Sequence, residues 1–206
     1  MARSVMRLFL AFGLVVVGLI AGVPDCAVAL EFLVHAGREN KVAFISKASM
    51  ETFEGKTNRL EGRIVVNPAD LGDSITVHFE VDMASLDTGL PMRNKHMREN
   101  HLETAKYPKA IFDGAAVRGP TGAALEPGKA KAFDVEGTFT LHGVGRRLRI
   151  NVYATYVPQP KGDRISFQTA FPVLLADYQI SRPQFLFLKL AESQQVRVNG
   201  VATASP

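Results

Sequence analysis

The chain is poor in the residues from which covalent and metal-centred scaffolds are built. It holds one cysteine, Cys26, and no tryptophan among 206 residues, so neither a disulfide framework nor a Cys-ligated zinc or iron–sulfur site is available. Charge of one sign is nowhere concentrated. The 24 basic and 20 acidic residues leave a net +4 on a mixed surface, without the basic block that a nucleic-acid partner requires. Also missing are a Gly-x-Ser-x-Gly elbow, a phosphate-binding loop and a Ser-His-Asp order. What remains, 47% hydrophobic and 21% charged with 17 Gly and 11 Pro, is the composition of one ordinary globular domain.

Only one long apolar run occurs, and it is short for a membrane span. Residues 8–21 follow Arg3 and Arg7 and lead to Pro24 and the small-residue stretch Ala27-Val28-Ala29. A run of about fourteen residues falls below the roughly twenty needed to cross a bilayer, and the whole reads as a signal peptide cleaved after Ala29. Pro24-Asp25 before Cys26 argues against a lipoprotein. Losing Arg3, Arg7 and Asp25 takes the 24 basic and 20 acidic residues to a net +3 and removes the sole cysteine. The expected domain is therefore residues 30–206, exported to a periplasm-like compartment and held by burial and backbone pairing alone.

From Lys41 onward the dominant period is two, which marks strands with one wet and one dry face. Ile75, Val77, Phe79 and Val81 alternate with Thr76, His78, Glu80 and Asp82. Phe133, Val135, Phe139 and Leu141 do the same, as do Leu148, Ile150, Val152 and Tyr156, then Ile165, Phe167 and Phe171, and Leu60, Ile64 and Val66. Residues 41–46, 109–118, 185–190 and 194–201 complete eight or nine expected strands. Turn residues separate them, as in Asn67-Pro68-Ala69-Asp70 and His142-Gly143-Val144-Gly145. Residues 91–106 break the pattern with helix formers, which predicts a helix entered from an Asp87 or Thr88 cap and stopped by Tyr107-Pro108. Short antiparallel strands of this kind close into a barrel or stack as a sandwich. An eight-stranded barrel is either filled by its own side chains or holds one small ligand, and the alternation leaves that choice open.

Several blocks, in order and spacing, resemble the YceI-like family of exported, lipocalin-like barrels. They are Gly55-x-Thr57-x-x-Leu60-x-Gly62, Ser85-Leu86-Asp87-Thr88-Gly89, Arg93-Asn94-Lys95-His96-Met97-Arg98, Lys106-Tyr107-Pro108 with Ile111-Phe112, the run from Gly137 to Val144, and Asp177-Tyr178-Gln179-Ile180. The resemblance spans residues 30–204. It implies an all-β fold, an eight-stranded antiparallel lipocalin-like barrel with one short crossover helix, enclosing an apolar channel for an isoprenoid or fatty-acyl chain. It implies binding rather than catalysis, and no cofactor.

Under that implication the tail-lining candidates are Phe44, Val77, Phe79, Met92, Met97 and Phe112, together with Phe133, Phe139, Val152, Phe167 and Phe171. Arg93, His96 and Arg98 are the candidates for meeting an anionic head group, since guanidinium forks suit phosphate oxygens. The rival expectation is a haem or copper site. His96 and His101, five apart, sit about 140° apart on a helix, whereas Met97 and His101, four apart, are better placed for joint ligation. His35, His78 and His142 stand alone on polar faces. Asp87-Thr88-Gly89 matches an aspartic-protease tripeptide, but one copy lacks the second carboxylate, and a turn leading into the helix accounts for it. Expected partners are the lipid itself, a transient contact with a membrane or membrane protein, and a second copy in a homodimer.

Overall fold

In the computed structural model, residues 29–47, 52–72, 74–116, 123–185 and 188–205 are described, and of residues 184, 185, 188 and 189 only the backbone. The expected signal peptide up to residue 28 lies outside them. Alternation becomes strands in chain order: β1 (Leu30–Val34), β2 (Lys41–Lys47), β3 (Thr52–Thr57), β4 (Leu60–Val66), β5 (Thr76–Asp82), β6 (Lys109–Ala116), β7 (Ala130–Leu141), β8 (Val144–Val157), β9 (Arg164–Leu174), β10 (Gln184–Phe185), β11 (Leu188–Lys189) and β12 (Ser193–Ala204). Neighbours run β1-β4-β5-β6-β7-β8-β9-β12, and β12 pairs back onto β1. Eight antiparallel strands thus close on themselves, which leaves no free edge around the barrel.

The hairpin β2–β3 extends this wall. β12 pairs with β1 at Thr203 and Ala204 and with β2 from Gln195 to Asn199, so β1 and β2 are two halves of one interrupted arm. β4 and β3 form the facing arm in the same way. Two of these pieces, β1 and β3, escape the periodicity argument. β1 is five residues long, and β3 carries a single large apolar residue, Phe53. The strand expected over residues 185–190 is instead the two-residue hairpin β10–β11, off the barrel. β9 already pairs on both edges, with β8 and with β12, so that segment has no edge left to join.

The connection from β5 to β6 is the crossover at the upper end of the barrel. Helix α1 (Pro91–His96) continues as a π turn over Met97–His101, and Glu103 turns the chain with φ of +43°. The helix is therefore shorter than the expected 91–106, because the five-residue bond from Leu102 N–H to the Met97 carbonyl (2.8 Å) loosens the coil before it ends. Its cap differs too. Leu90 stands at the N-cap with Pro91 following, a position where the missing N–H costs nothing.

Asp87 and Thr88 act one turn earlier than expected, as an anchor. Lys56 and Asp87 exchange both backbone hydrogen bonds at 2.9 Å, which docks the start of the crossover on β3. At the lower end of the barrel two connecting segments meet. Leu71 N–H donates to the Ala123 carbonyl and Leu125 N–H to that of Pro68, at 2.7 and 2.8 Å. Leu71, Leu125, Phe32 and Ile75 are all buried there.

Candidate functional site

The inward faces of the strands meet at Phe79 of β5 and Phe167 of β9, whose ring centroids stand 5.1 Å apart across the interior, and elsewhere stay apart. They enclose a cavity of about 670 Å³, within the range of small-molecule sites. Val77 and Phe79 line it from β5, Phe112 from β6, and Phe133 and Phe139 from β7. Val152 lines it from β8, Phe167 and Phe171 from β9, Phe44 from β2 and Met97 from the π turn. Phe79, Phe133 and Phe139 point inward and are still only half-buried, since part of each borders the cavity, although Phe79 also meets Phe167 and Phe139 meets Phe171 and Tyr178.

Why these rings leave a hollow follows from what lies beneath them. Phe44 is paired with Gly55, Phe79 with Gly62 and Phe167 with Gly200. A Cβ at Gly55 would stand 2.2 Å from Phe44 Cε1, at Gly62 2.5 Å from Phe79 Cδ1, and at Gly200 2.4 Å from Phe167 Cζ. Phe112 lies likewise over the paired Gly114 and Gly137. Each ring is laid flat on a neighbouring strand where a side chain is missing. The wall is thin, and the lumen stays open.

The cavity reaches the surface at the upper end, where Leu90 lines it and is 53% exposed. Arg93, His96 and His101 line the same end. The Arg93 guanidinium stands 4.0 Å above the Phe53 ring and donates from Nε to Thr88 Oγ1 and from Nη2 to the Thr88 carbonyl, each at 3.0 Å. Burial, opposed by a hydrogen bond with Ser181 and helped by a smaller push from His96, holds the His101 imidazole below its usual range. Two expected residues stand elsewhere. Met92, at the second position of the helix, is 66% exposed and off the cavity wall. Arg98 is also off it, and its Nη2 donates to the Leu86 carbonyl at 2.9 Å.

His96, Met97 and His101, the residues of the metal expectation, all line this cavity. Among the described residues no three His, Cys, Asp or Glu side chains come together in a metal-sized group, and His101 Nδ1 lies 3.3 Å from the Ser181 hydroxyl. Of the three histidines read as solitary, His78 and His142 have partners. His142 sits between Glu103 Oε2 (2.7 Å) and the Tyr178 carbonyl (3.1 Å), with its ring 4.5 Å from that of Tyr107, and so fastens the crossover to the β7–β8 turn. His78, on the outside, lies 2.6 Å from Asp113. Its neighbour Glu80 pairs with Lys109, which holds that carboxyl below the ordinary range.

Sequence reasoning passed over three polar residues on the wall, Thr169 among them. Ser46 and Gln194 line the cavity and are 1% and 6% exposed. The signal was present, because each shares the inward parity of its strand, Ser46 with Phe44 and Gln194 with Val196 and Val198.

The family model for the YceI-like domain matches residues 35–204. Among solved structures, a polyisoprenoid binding domain from Saccharophagus degradans, implicated in plant cell wall breakdown, superposes with a TM-score of 0.66 at 18% identity over 86% of this chain and 99% of its own. BcnA of Burkholderia cenocepacia gives 0.61 at 19% identity, over 80% of this chain and 96% of its own. The YceI protein of Campylobacter jejuni gives 0.59 at 14% identity, over 78% and 85%. No curated protein matches the chain.

Proposed function

Because the chain belongs to the YceI-like domain family, we propose that it binds the apolar tail of an amphiphilic lipid, a polyisoprenoid or a long acyl chain, inside the barrel. It does so after export, in the periplasm, and its role is to sequester or carry the lipid rather than to transform it. The observation that carries this reading is the apolar cavity of about 670 Å³ with its mouth at Leu90. Burying apolar area is favourable by roughly 25 cal/mol per Å², so a long tail is held firmly without directional contacts. The polyisoprenoid binding domain of Saccharophagus degradans, which shares the fold, supports the choice of tail.

Arg93 and His96 are the head-group residues in this reading, standing where a tail entering at Leu90 leaves its polar end. Leu90 and Met92 are exposed beside the exposed Lys95, an apolar tip with a cationic flank suited to brief contact with an anionic bilayer during loading. The test is native mass spectrometry of the exported protein purified without organic extraction. A population heavier by the mass of one prenyl or acyl lipid is expected, and it returns when stripped protein is mixed with such a lipid. Protein that carries no lipid and takes up none would overturn the reading.

A further inference from the structure

Phe79 and Phe167 stand on opposite sides of the barrel and still touch. In the closed order β1-β4-β5-β6-β7-β8-β9-β12, β5 and β9 are four strands apart in either direction. Their ring centroids are 5.1 Å apart, with the planes inclined at 36°, the spacing of an aromatic pair in contact. The lumen is therefore bridged at this level. Where the bridge lies is set by the glycines beneath the rings. Phe79 rests on Gly62 of β4 and Phe167 on Gly200 of β12, and β4 and β12 are the two neighbours of β1. Both rings lean toward the same side of the barrel, so their bridge roofs the β1 wall. Neither ring can step back, because a Cβ at Gly62 or Gly200 would already stand 2.5 or 2.4 Å from it.

Burial follows the bridge. Phe32 and Val34 of β1 and Ala202 of β12 are 0%, 2% and 0% exposed, and none of the three borders the cavity. On the other flank Phe133, Val152 and Ala154 border it and stay half-buried. The cavity nonetheless reaches from Leu90 and Met97 at the upper end to Ala116 and Leu125 at the lower, so it passes the bridge along the flank built by β6, β7 and β8. A passage open on one flank is narrow. A single flexible chain slips beside the rings, whereas a fused ring system is wide and rigid and meets them, in an interior that does not yield freely. We infer that Phe79 and Phe167 form a selectivity constriction, which admits one slender tail to the lower half of the barrel and holds fused-ring lipids above it. This rests on the lipid-binding reading above and narrows its ligand to single-chain tails.

The experiment compares geranylgeraniol with abietinol, an open chain and a fused tricycle with the same number of carbons and one hydroxyl each, by displacement of a fluorescent apolar probe from the exported protein. The open chain is expected to bind at least about tenfold tighter, a difference that keeping about 55 Å² of apolar surface out of the lower half is enough to produce. Phe79→Leu and Phe167→Leu each open the bridge. Abietinol then binds about fivefold tighter, while geranylgeraniol, deprived of ring contact, binds about threefold more weakly. Opposite signs are the mark of a constriction, because a loosened or misfolded barrel weakens both ligands. Equal affinities in the unaltered protein, or affinities that move together or not at all in the two variants, overturn the constriction and leave lipid binding standing. Failure of the unaltered protein to bind either ligand overturns lipid binding itself, and the constriction with it.

Discussion

Asn94 holds the crossover together by side-chain chemistry alone. Its Oδ1 accepts from the Thr88 N–H (2.8 Å) and hydroxyl (2.7 Å), and its Nδ2 donates to Asp87 Oδ1 at 2.7 Å. The last bond, with that from the Gly89 N–H, holds the Asp87 carboxyl below the usual carboxylate range. Thr88 is buried, so truncating Asn94 leaves its N–H and hydroxyl short of an acceptor. Asn94→Ala is expected to lower stability by about 1–3 kcal/mol, read as an earlier urea midpoint at unchanged slope. An unshifted midpoint would contradict this assignment. The blocks containing Asp87-Thr88-Gly89 and Asn94 are plain in the sequence, but their mutual bonding is not, because they meet across a loop where no periodicity operates. The same blindness divided the basic residues, since nothing in the order of Arg93 and Arg98 tells which faces the lumen and which a backbone carbonyl.

Strands show how far alternation reads and where it stops. Parity assigns Phe79, Phe112 and Phe167 to the inside, yet whether a ring fills the lumen or lies on the wall depends on the residue across from it. That residue is fixed by register, a property of loop lengths and barrel closure. The consequence is a pair of glycine substitutions with different outcomes. At Gly200 the atom that must give way is the Phe167 ring tip, 2.4 Å from the added Cβ. Gly200→Ala is therefore expected to fold but to push the ring into the lumen, weakening long-chain binding about tenfold for the loss of one or two buried methylenes. At Gly137 the obstacle is backbone, the Asp113 carbonyl at 2.3 Å, so Gly137→Ala strains the β6–β7 pairing and lowers the melting temperature. Equal effects of the two substitutions on folding and on binding would refute the seating of rings on glycines.

At the scale of the whole molecule, the sequence blocks point to the family and the alternation to a one-sided wall, and both describe the closed eight-stranded barrel. Two features were hidden from them. At the lower end Leu71 and Leu125 are buried although they lie in segments that read as turns, brought together by the bonds of residues 68, 71, 123 and 125. The hollow itself was undecidable, because the same phenylalanines would fill a narrower barrel or one without inward glycines. What the account needs is an open lumen that accepts a tail from the Leu90 end and runs toward Leu125. The most direct measurement is a crystal structure of the exported protein grown with geranylgeraniol. One continuous chain of density is predicted inside the barrel, lying along the rings seated on Gly62, Gly114 and Gly200. Rings turned off their glycines to close the lumen, with ligand absent or bound only outside, would contradict the account.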